Sequence, residues 1–245
     1  MDKMFENVTK LQLTLFGVIL GVCIIFSASL ISNNFSKDEI TVTGTAAEIV
    51  KSDSAKWSIS FKTEAPTRLE AYNKMPEALE AVKKFLTSNG LSEEDIELGA
   101  LESYPRYKVN PVNGHSTQEI SSWQYTQMLD VSSKNVELVK NLHTQIQGLV
   151  TEGVDISNSY VQYYYSELPS KKAELLSAAT LDAKNRAAGM LRATHNSVGK
   201  MRSVKMGVFQ ITRPESNDVS DWGINDTSTI EKKITAVANV IFSIR

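Results

Sequence analysis

The chain has 245 residues, of which 42% are hydrophobic and 22% charged, and its formal net charge is −2. This composition is that of an ordinary globular protein with one large domain or two small ones. Because 26 basic residues are balanced by 28 acidic ones, the overall charge argues against a nucleic-acid partner. Its single cysteine, Cys23, lies in a hydrophobic run, which excludes a disulfide framework or a thiolate nucleophile in the rest of the chain.

The first predicted element is an uncharged apolar stretch at residues 11–32. A run of about 20 apolar residues can span a bilayer as a helix, whereas the hydrophobic part of a signal peptide has about 7–15. Residues 1–36 are therefore predicted to be a cytoplasmic stub and a transmembrane anchor. A cleaved signal sequence is the alternative, because Ser27 and Ser29 supply the small residues of a cleavage site. Lys3 and Lys10 precede the stretch and favour export of residues 37–245.

Two strands and a helix are predicted next. Residues 40–44 and 56–63 alternate between apolar and polar side chains, as half-buried strands do. Thr67 and Glu70 form a capping box that starts a helix, and Asn89-Gly90 supplies its stop. Pro76 predicts a kink or a restart within it. The predicted apolar stripe of this helix contains Leu69, Tyr72, Leu79, Val82 and Leu86.

The middle of the chain predicts a hairpin and two further helices. Residues 96–108 and 119–132 read as strands around the turn at residues 110–114, which ends in Asn-Gly. Residues 161–168 form a tyrosine-rich strand, and a third helix runs from near Pro169 to about Thr194. The second helix, between the hairpin and that strand, has an apolar stripe of Val136, Val139, Leu142, Ile146 and Leu149.

The last third predicts a strand at residues 204–212, a polar loop at residues 213–231 and a closing strand at residues 234–245. The closing strand alternates, with Ile234, Ala236, Ala238, Val240, Phe242 and Ile244 on one side. Together these elements predict an α+β fold with antiparallel sheets and three main helices packed on them, preceded by one transmembrane helix.

No constellation of residues predicts an enzyme. The three histidines, His115, His143 and His195, are not spaced as metal ligands on one helix face, and no phosphate-binding loop or nucleophile elbow occurs. His143 is expected on a helix surface. The acidic residues 93–95 are expected to be solvated charges in a turn rather than a metal site. Hence no catalytic, cofactor-binding or metal site is predicted. A hydrolase would need one of these histidines in contact with a nucleophile.

Tyr160, Tyr163, Tyr164 and Tyr165 form the most unusual local feature. On a strand, Tyr163 and Tyr165 share a face with Val161, while Tyr160 and Tyr164 point the other way. One face is expected in the core and the other half exposed. The alternative is that Tyr160 and Tyr164 form a subunit contact, since tyrosine is enriched at interfaces.

Several passages resemble the SIMPL-domain family of bacterial envelope proteins, over residues 40–245. They are the strands ITVTGTA and KWSISF, the passage NGLSEEDIE, the Trp123-Gln124-Tyr125 strand, the helix AATLDAKNRAAGML and the Val198-Gly199-Lys200 turn. The family usually ends the alanine-rich helix at a glycine, where this chain has His195-Asn196. Both residues tolerate positive φ better than most.

The resemblance implies an exported α+β domain that tends towards ring-like or channel-like self-assembly, with a loose link to envelope stress. It transfers no functional residue and no cofactor. The expected function is therefore that of a non-enzymatic protein, anchored once in the bacterial inner membrane or secreted to the periplasm, which forms a homo-oligomer or binds an unknown protein partner. The alternative is a periplasmic module that binds a small ligand or a peptide.

Overall fold

The computed structural model describes residues 15–28 and 38–245. Residues 15–28 are helical and are called α1. The later elements are β1 (Glu39–Lys51), β2 (Ser54–Ala65), α2 (Arg68–Ser88), β3 (Ile96–Val109), β4 (Ser116–Ser133), α3 (Val136–Gln145), β5 (Asp155–Tyr164), α4 (Leu168–Arg192), β6 (Val198–Met206), β7 (Gln210–Thr212), β8 (Ile224–Asn225) and β9 (Glu231–Ile244). Two 3-10 helices, Glu93–Asp95 and Ile146–Glu152, precede β3 and β5. The α+β class is confirmed.

The chain forms two compact units. The large unit consists of Thr45–Asp182 and Met206–Ala238. Of the described residues, the small unit contains 15–28, 38–44, Ala183–Lys205 and Asn239–Arg245. Strands β1 and β9 and helix α4 therefore each contribute residues to both units.

The predicted membrane span, residues 11–32, lies partly outside the described residues, and so does the predicted boundary between residues 36 and 37. Its described part, α1, has exposed side chains along almost its whole length. Among the helices that the structure describes, none combines the length and the apolar character needed to cross a membrane.

The large unit contains a four-stranded antiparallel sheet with the strand order β3-β4-β2-β5. Alternation along β2 buries Trp57, Ile59 and Phe61 completely on one face, as its sequence predicts. Helices α2 and α3 pack on that face and close the main hydrophobic core. The predicted stripe of α3 is confirmed, with its last two members, Ile146 and Leu149, buried in the following 3-10 helix.

Helix α2 departs from its prediction in two ways. Thr67 caps it by accepting a hydrogen bond from the Glu70 N–H, but Pro76 lies inside one continuous helix and does not restart it. Leu69 and Tyr72 are 69% and 48% exposed. The buried stripe is Ala71, Met75, Ala78, Val82 and Leu86, so the prediction is confirmed for Val82 and Leu86. Small alanines face the sheet because they let the helix approach it closely, and a search for large apolar residues misses them.

Strand boundaries around the third helix were also predicted wrongly. Strand β5 covers Asp155–Tyr164 rather than residues 161–168, because the chain turns at residues 165–167 to enter α4. The predicted strand at residues 204–212 is two strands, β6 and β7, separated at residues 207–209. The end of α4 is as expected, since His195 adopts a φ of 57°.

The second sheet has five strands, in the order β1-β9-β7-β8, with β6 pairing to β9. It is mixed rather than antiparallel, because β8 runs parallel to β7 inside the segment predicted as a loop. Strand β9 alternates as predicted, and its residues from Ile234 to Phe242 on one face are buried. Helix α4 buries one residue per turn, namely Leu175, Ala179, Ala183, Ala187 and Leu191.

Candidate functional site

The tyrosine-rich strand β5 presents the two faces that its sequence predicts. Val161 and Tyr163 are each 7% exposed and belong to the core. Tyr160, on the other face, is 49% exposed, and Tyr164 on that face is half-buried. Tyr165 lies beyond the end of the strand and is half-buried. Tyr160 is therefore the more accessible member of the proposed contact.

The open face of the four-stranded sheet surrounds these tyrosines with polar groups. Tyr160 lies opposite Ser58 of β2, and the Ser58 hydroxyl donates a hydrogen bond of 2.5 Å to the Asp130 carboxylate of β4. Tyr164 lies opposite Ser54 at the start of β2. This face therefore offers an aromatic ring bordered by a hydrogen-bonded polar network, which is the composition of the partly polar contacts that tyrosine makes at interfaces.

A groove of about 690 Å³ lies at the end of this sheet, where Tyr164 meets the chain entering α3. Its walls are formed by Ser54, Ala55, Lys56, Asp95, Ser132, Ser133, Lys134, Asn135 and Tyr164. Its charged lining residues are Lys56, Lys134 and Asp95. Asn135 caps α3 by accepting a hydrogen bond from the Leu138 N–H. Sequence reasoning missed these lysines, because only the pairing of β2, β4 and β5 brings them together.

The surroundings of Tyr163 and Glu137 shift the pKa of each in opposite directions. Burial raises the pKa of Tyr163, and the charge of Glu137 raises it further. A hydrogen bond from Lys51, at 3.0 Å, lowers the pKa of Glu137 and keeps it ionised. Tyr163 is thus a neutral core residue at neutral pH and not a candidate base.

His143 is not the helix-surface residue that the sequence predicts. Its Nδ1 lies 2.9 Å from the Ser159 hydroxyl of β5, and its ring meets the Trp57 ring edge to face with centroids 5.8 Å apart. The Trp57 indole N–H also donates to the Ser159 hydroxyl, at 2.8 Å. Burial lowers the pKa of His143. The surface prediction failed because Ser159, which draws the imidazole inward, belongs to a different element.

A serine in contact with a histidine is the first requirement of a hydrolase. The Ser159 hydroxyl accepts a hydrogen bond from the Trp57 indole N–H and shares a second hydrogen bond with Nδ1 of His143. In the Ser-His-Asp triad a third group orients the histidine. Among the residues that the structure describes, the side chain of His143 contacts Ser159 and the Trp57 ring. This cluster ties α3 to β5.

The His143 environment predicts a pH dependence of stability. Because the pKa is lower in the folded chain than its ordinary value of 6.5, stability is fully present above that value and falls as the pH drops through it. The urea midpoint is expected to decrease between about pH 7.5 and pH 5, and this decrease is expected to be smaller in His143→Gln. An equal decrease in both proteins would contradict the assignment.

The other histidines lie apart from this cluster. His115 is at the end of the turn between β3 and β4, and His195 follows α4. Within residues 15–28 and 38–245, no group of three or more histidine, cysteine, aspartate or glutamate side chains is placed to hold a metal ion.

One family model, described as "SIMPL: Protein of unknown function (DUF541)", matches residues 40–242 and confirms the resemblance seen in the sequence. No curated protein matches the chain. Similar solved structures include "De novo designed protein Foldit4" (11% identity, 43% of this chain, 94% of that one, TM-score 0.24). A hydantoinase/carbamoylase family amidase from Burkholderia ambifaria is 10% identical, with 48% of this chain and 29% of that one covered and a TM-score of 0.24. AtUAH in complex with glyoxylate is 15% identical, with 61% of this chain and 36% of that one covered and a TM-score of 0.26. Such low scores carry no inference about function.

Proposed function

We propose, since this chain belongs to the SIMPL family, that it is a non-enzymatic envelope protein whose exported domain acts by self-assembly or by binding a protein partner. The proposal includes a single-pass anchor in the bacterial inner membrane, with release to the periplasm after cleavage as the alternative. It also includes a ring-like or channel-like homo-oligomer linked to envelope stress. The family description assigns no activity. The support for self-assembly therefore comes from the surface of the domain.

One observation supports self-assembly above the others: the end of the β3–β4 hairpin, residues 106–122, stands alone as a two-stranded arm. Strand β2 pairs with β4 only as far as Ala65, which lies opposite Trp123. Beyond that point Arg106, Tyr107 and Val109 pair with β4 and with no other strand that the structure describes. A two-stranded ribbon is at best marginally stable by itself in water. Contact with another protein surface would therefore stabilise the arm.

The side chains of the arm are those of a contact surface. Tyr107 and Ile120 lie opposite each other and are 46% and 42% exposed. Val109 and Val112 are 60% and 92% exposed. Contiguous exposed apolar groups with a polar border mark interaction sites, and the border here is the cross-strand ion pair between Lys108 and Glu119.

Mass photometry of the full chain in detergent tests the assembly directly. We expect species larger than a monomer at micromolar concentration and below. Replacing Tyr107 and Ile120 by serine is expected to shift them towards the monomer without altering the far-ultraviolet circular dichroism. A strict monomer for the unaltered chain would overturn the assembly part of the proposal.

The open face of β5 supplies a separate prediction. Tyr160→Ala and Tyr164→Ala are expected to leave the fold intact and reduce the assembly size in analytical ultracentrifugation, with the larger effect at Tyr160 because its ring is more exposed. Tyr72→Ala, at an exposed tyrosine of α2, is the matched control. An unchanged sedimentation profile in both β5 variants, with the fold retained, would remove the tyrosines from the contact.

The membrane topology can be tested in cells. The proposal rests on the uncharged residues 11–32 and on the lysines that precede them. Alkaline phosphatase fused after Arg245 is expected to be active, since it folds only outside the cytoplasm, and a fluorescent protein that folds only in the cytoplasm is expected to stay dark. The reverse pattern would exclude an exported domain. Amino-terminal sequencing of the mature protein distinguishes an anchor from a cleaved signal.

The groove at Tyr164 supports the second candidate function, a small-ligand or peptide binding module. Its two lysines outnumber its one carboxylate, Asp95, so the groove would attract an anionic or carboxylate-bearing group of a ligand. Screening of such compounds by thermal shift, with Lys56→Ala/Lys134→Ala as the control, would show stabilisation in the unaltered chain alone. Equal responses would exclude the groove.

A further inference from the structure

The charges of the chain are separated into two oppositely charged stretches. Residues 183–214 contain seven basic residues and no acidic one, whereas residues 85–105 contain five acidic residues and no basic one. The basic residues are Lys184, Arg186, Arg192, Lys200, Arg202, Lys205 and Arg213. The acidic residues are Glu93, Glu94, Asp95, Glu97 and Glu102. A nearly neutral total charge therefore conceals a strong asymmetry.

The asymmetry follows the two structural units. The described residues of the small unit carry seven basic side chains against Asp38 and Glu39, while the large unit carries 16 basic and 24 acidic ones. Separated charges of this kind attract the small unit of one copy to the large unit of another.

Strand β6 gives the basic stretch a defined surface. At its start, the Ser197 N–H donates to the Arg245 carbonyl at 2.7 Å, and the Arg245 N–H donates to the Ser197 carbonyl at 2.9 Å. One edge of β6 is thereby bound to β9, and no other strand in the described part of the chain pairs with it. Every side chain from Lys200 to Met206 is exposed. Beside its cations, β6 displays Met201 and Val204, which are 53% and 47% exposed.

The acidic stretch covers the 3-10 helix Glu93–Asp95 and the first half of β3, which is the outer strand of the four-stranded sheet. Glu93, Glu94 and Glu97 are exposed there. The apolar members of this edge, Leu98 and Leu101, are 50% and 41% exposed. Its charges and its apolar side chains therefore complement those of β6.

The β3 edge limits backbone pairing, so side chains must provide selectivity. Pro105 lacks an N–H, and the register shifts between Leu98 and Leu101, where Gln127 donates to the carbonyls of Gly99 and Ala100. Proline and bulges protect a sheet edge from indiscriminate pairing. Pairing of β6 with a second β6 is disfavoured in turn, because it would bring three cations of each copy together.

We infer that copies of this chain associate head to tail, with the basic edge of β6 in one copy docked on the acidic edge of β3 in the next. This inference rests on the proposed self-assembly and names the surfaces that carry it. In an open row of copies, a contact between two different surfaces leaves one unpaired surface at each end. Such a contact gives a ring if the rotation closes and a filament if it does not.

Charge reversal with rescue tests the pairing. The β6 variant is Lys200→Glu/Arg202→Glu/Lys205→Glu, and the β3 variant is Glu93→Lys/Glu94→Lys/Glu97→Lys. Each alone is expected to weaken association at least about tenfold, because like charges then face each other. A 1:1 mixture of the two variants is expected to restore assembly, because the acidic β6 of one variant can then dock on the basic β3 edge of the other. A chain that carries both sets of changes is also expected to assemble.

Mass photometry of the full chain in detergent at low salt provides the readout, and added salt is expected to weaken the contact. Lys74→Glu/Lys84→Glu/Lys140→Glu matches the β6 variant in charge change and is expected to assemble normally. If the unaltered chain assembles but the reversals have no effect, or the mixture fails to restore assembly, the head-to-tail contact is wrong and self-assembly stands. If the unaltered chain is monomeric, both are wrong.

Discussion

Replacing Trp57 by alanine is expected to lower the free energy of unfolding by about 3–5 kcal/mol. The side chain is completely buried and lies at the centre of the sheet, opposite Val131 on β4 and Val161 on β5. Alanine would leave a cavity beneath α3. It would also remove the indole N–H that fixes the Ser159 hydroxyl, and with it the ring on which His143 packs.

Two further variants separate these contributions. Trp57→Phe keeps most of the ring volume but not the donor, so we expect a loss of about 1–3 kcal/mol. Trp222→Ala is the matched control, because that tryptophan is 95% exposed, and its effect is expected to stay within about 0.5 kcal/mol. Denaturant unfolding followed by far-ultraviolet circular dichroism gives all three values. An effect at Trp57 no larger than that at Trp222 would show that the core does not depend on this residue.

Helices and strands were predictable from sequence where their buried residues recur with the period of the element itself. The stripe of α3 and the alternation of β9 are set by one face of a single element, and the hairpin between β3 and β4 by its Asn-Gly turn. Gly114 there has the positive φ, 71°, for which a glycine is suited. In these cases local pattern and tertiary environment agree.

The turn expected at Val198-Gly199-Lys200 is wrong, because these residues begin strand β6, of which only residues 204–206 were predicted as strand. Exposed on both faces, it shows no alternation, and its conformation is fixed by pairing with β9. Pairing with β9 requires a glycine at position 199, because a Cβ there would clash with the Ser243 side chain and lie 2.7 Å from the Ser243 carbonyl oxygen. A sequence displays the glycine but not the neighbour that requires it.

The candidate sites show the same division. Tyr160 and Tyr164 were placed correctly on one face of β5, because alternation alone decides it. The lysines of the groove, the imidazole of His143 and the arm were not foreseen as contacts, because each depends on where another strand ends or which side chain faces it. The acidic residues 93–95 were recognised as solvated charges, yet their counterpart on β6 is more than a hundred residues away in sequence.

Lys232 shows how far a polar sequence can depart from a loop. It directly follows the segment predicted as a polar loop, residues 213–231, and is only 4% exposed. Its ammonium group donates to the carbonyls of Asp226 at 2.5 Å and Thr229 at 2.8 Å. Burial lowers the pKa of Lys232, and the charge of Asp226 opposes that shift. The segment so held supplies the Thr227 carbonyl, which accepts a hydrogen bond from the Tyr163 N–H at the edge of β5.

The Asp226 carboxylate is the negative charge that interacts with Lys232. Burial alone would raise the pKa of its carboxyl, but hydrogen bonds from Thr229 and Ser228 outweigh burial and hold the pKa below its ordinary range. The carboxylate therefore stays charged beside Lys232, and each charge compensates the burial of the other. Neither group would be stable at this depth without hydrogen-bonded partners.

Replacing Lys232 by methionine is therefore expected to lower the free energy of unfolding by about 2–4 kcal/mol. Methionine keeps the volume of the aliphatic stem, so the loss reports the two carbonyls that no longer accept a hydrogen bond from the ammonium group. The Asp226 carboxylate would keep Arg213, at 4.0 Å, as its cation. Lys84→Met, at an exposed position of α2, is the matched control and is expected to change stability by no more than about 0.5 kcal/mol. Amide exchange should also quicken at Tyr163 in the Lys232 variant. Equal stability of the two variants would mean that the segment holds its shape without the buried charge.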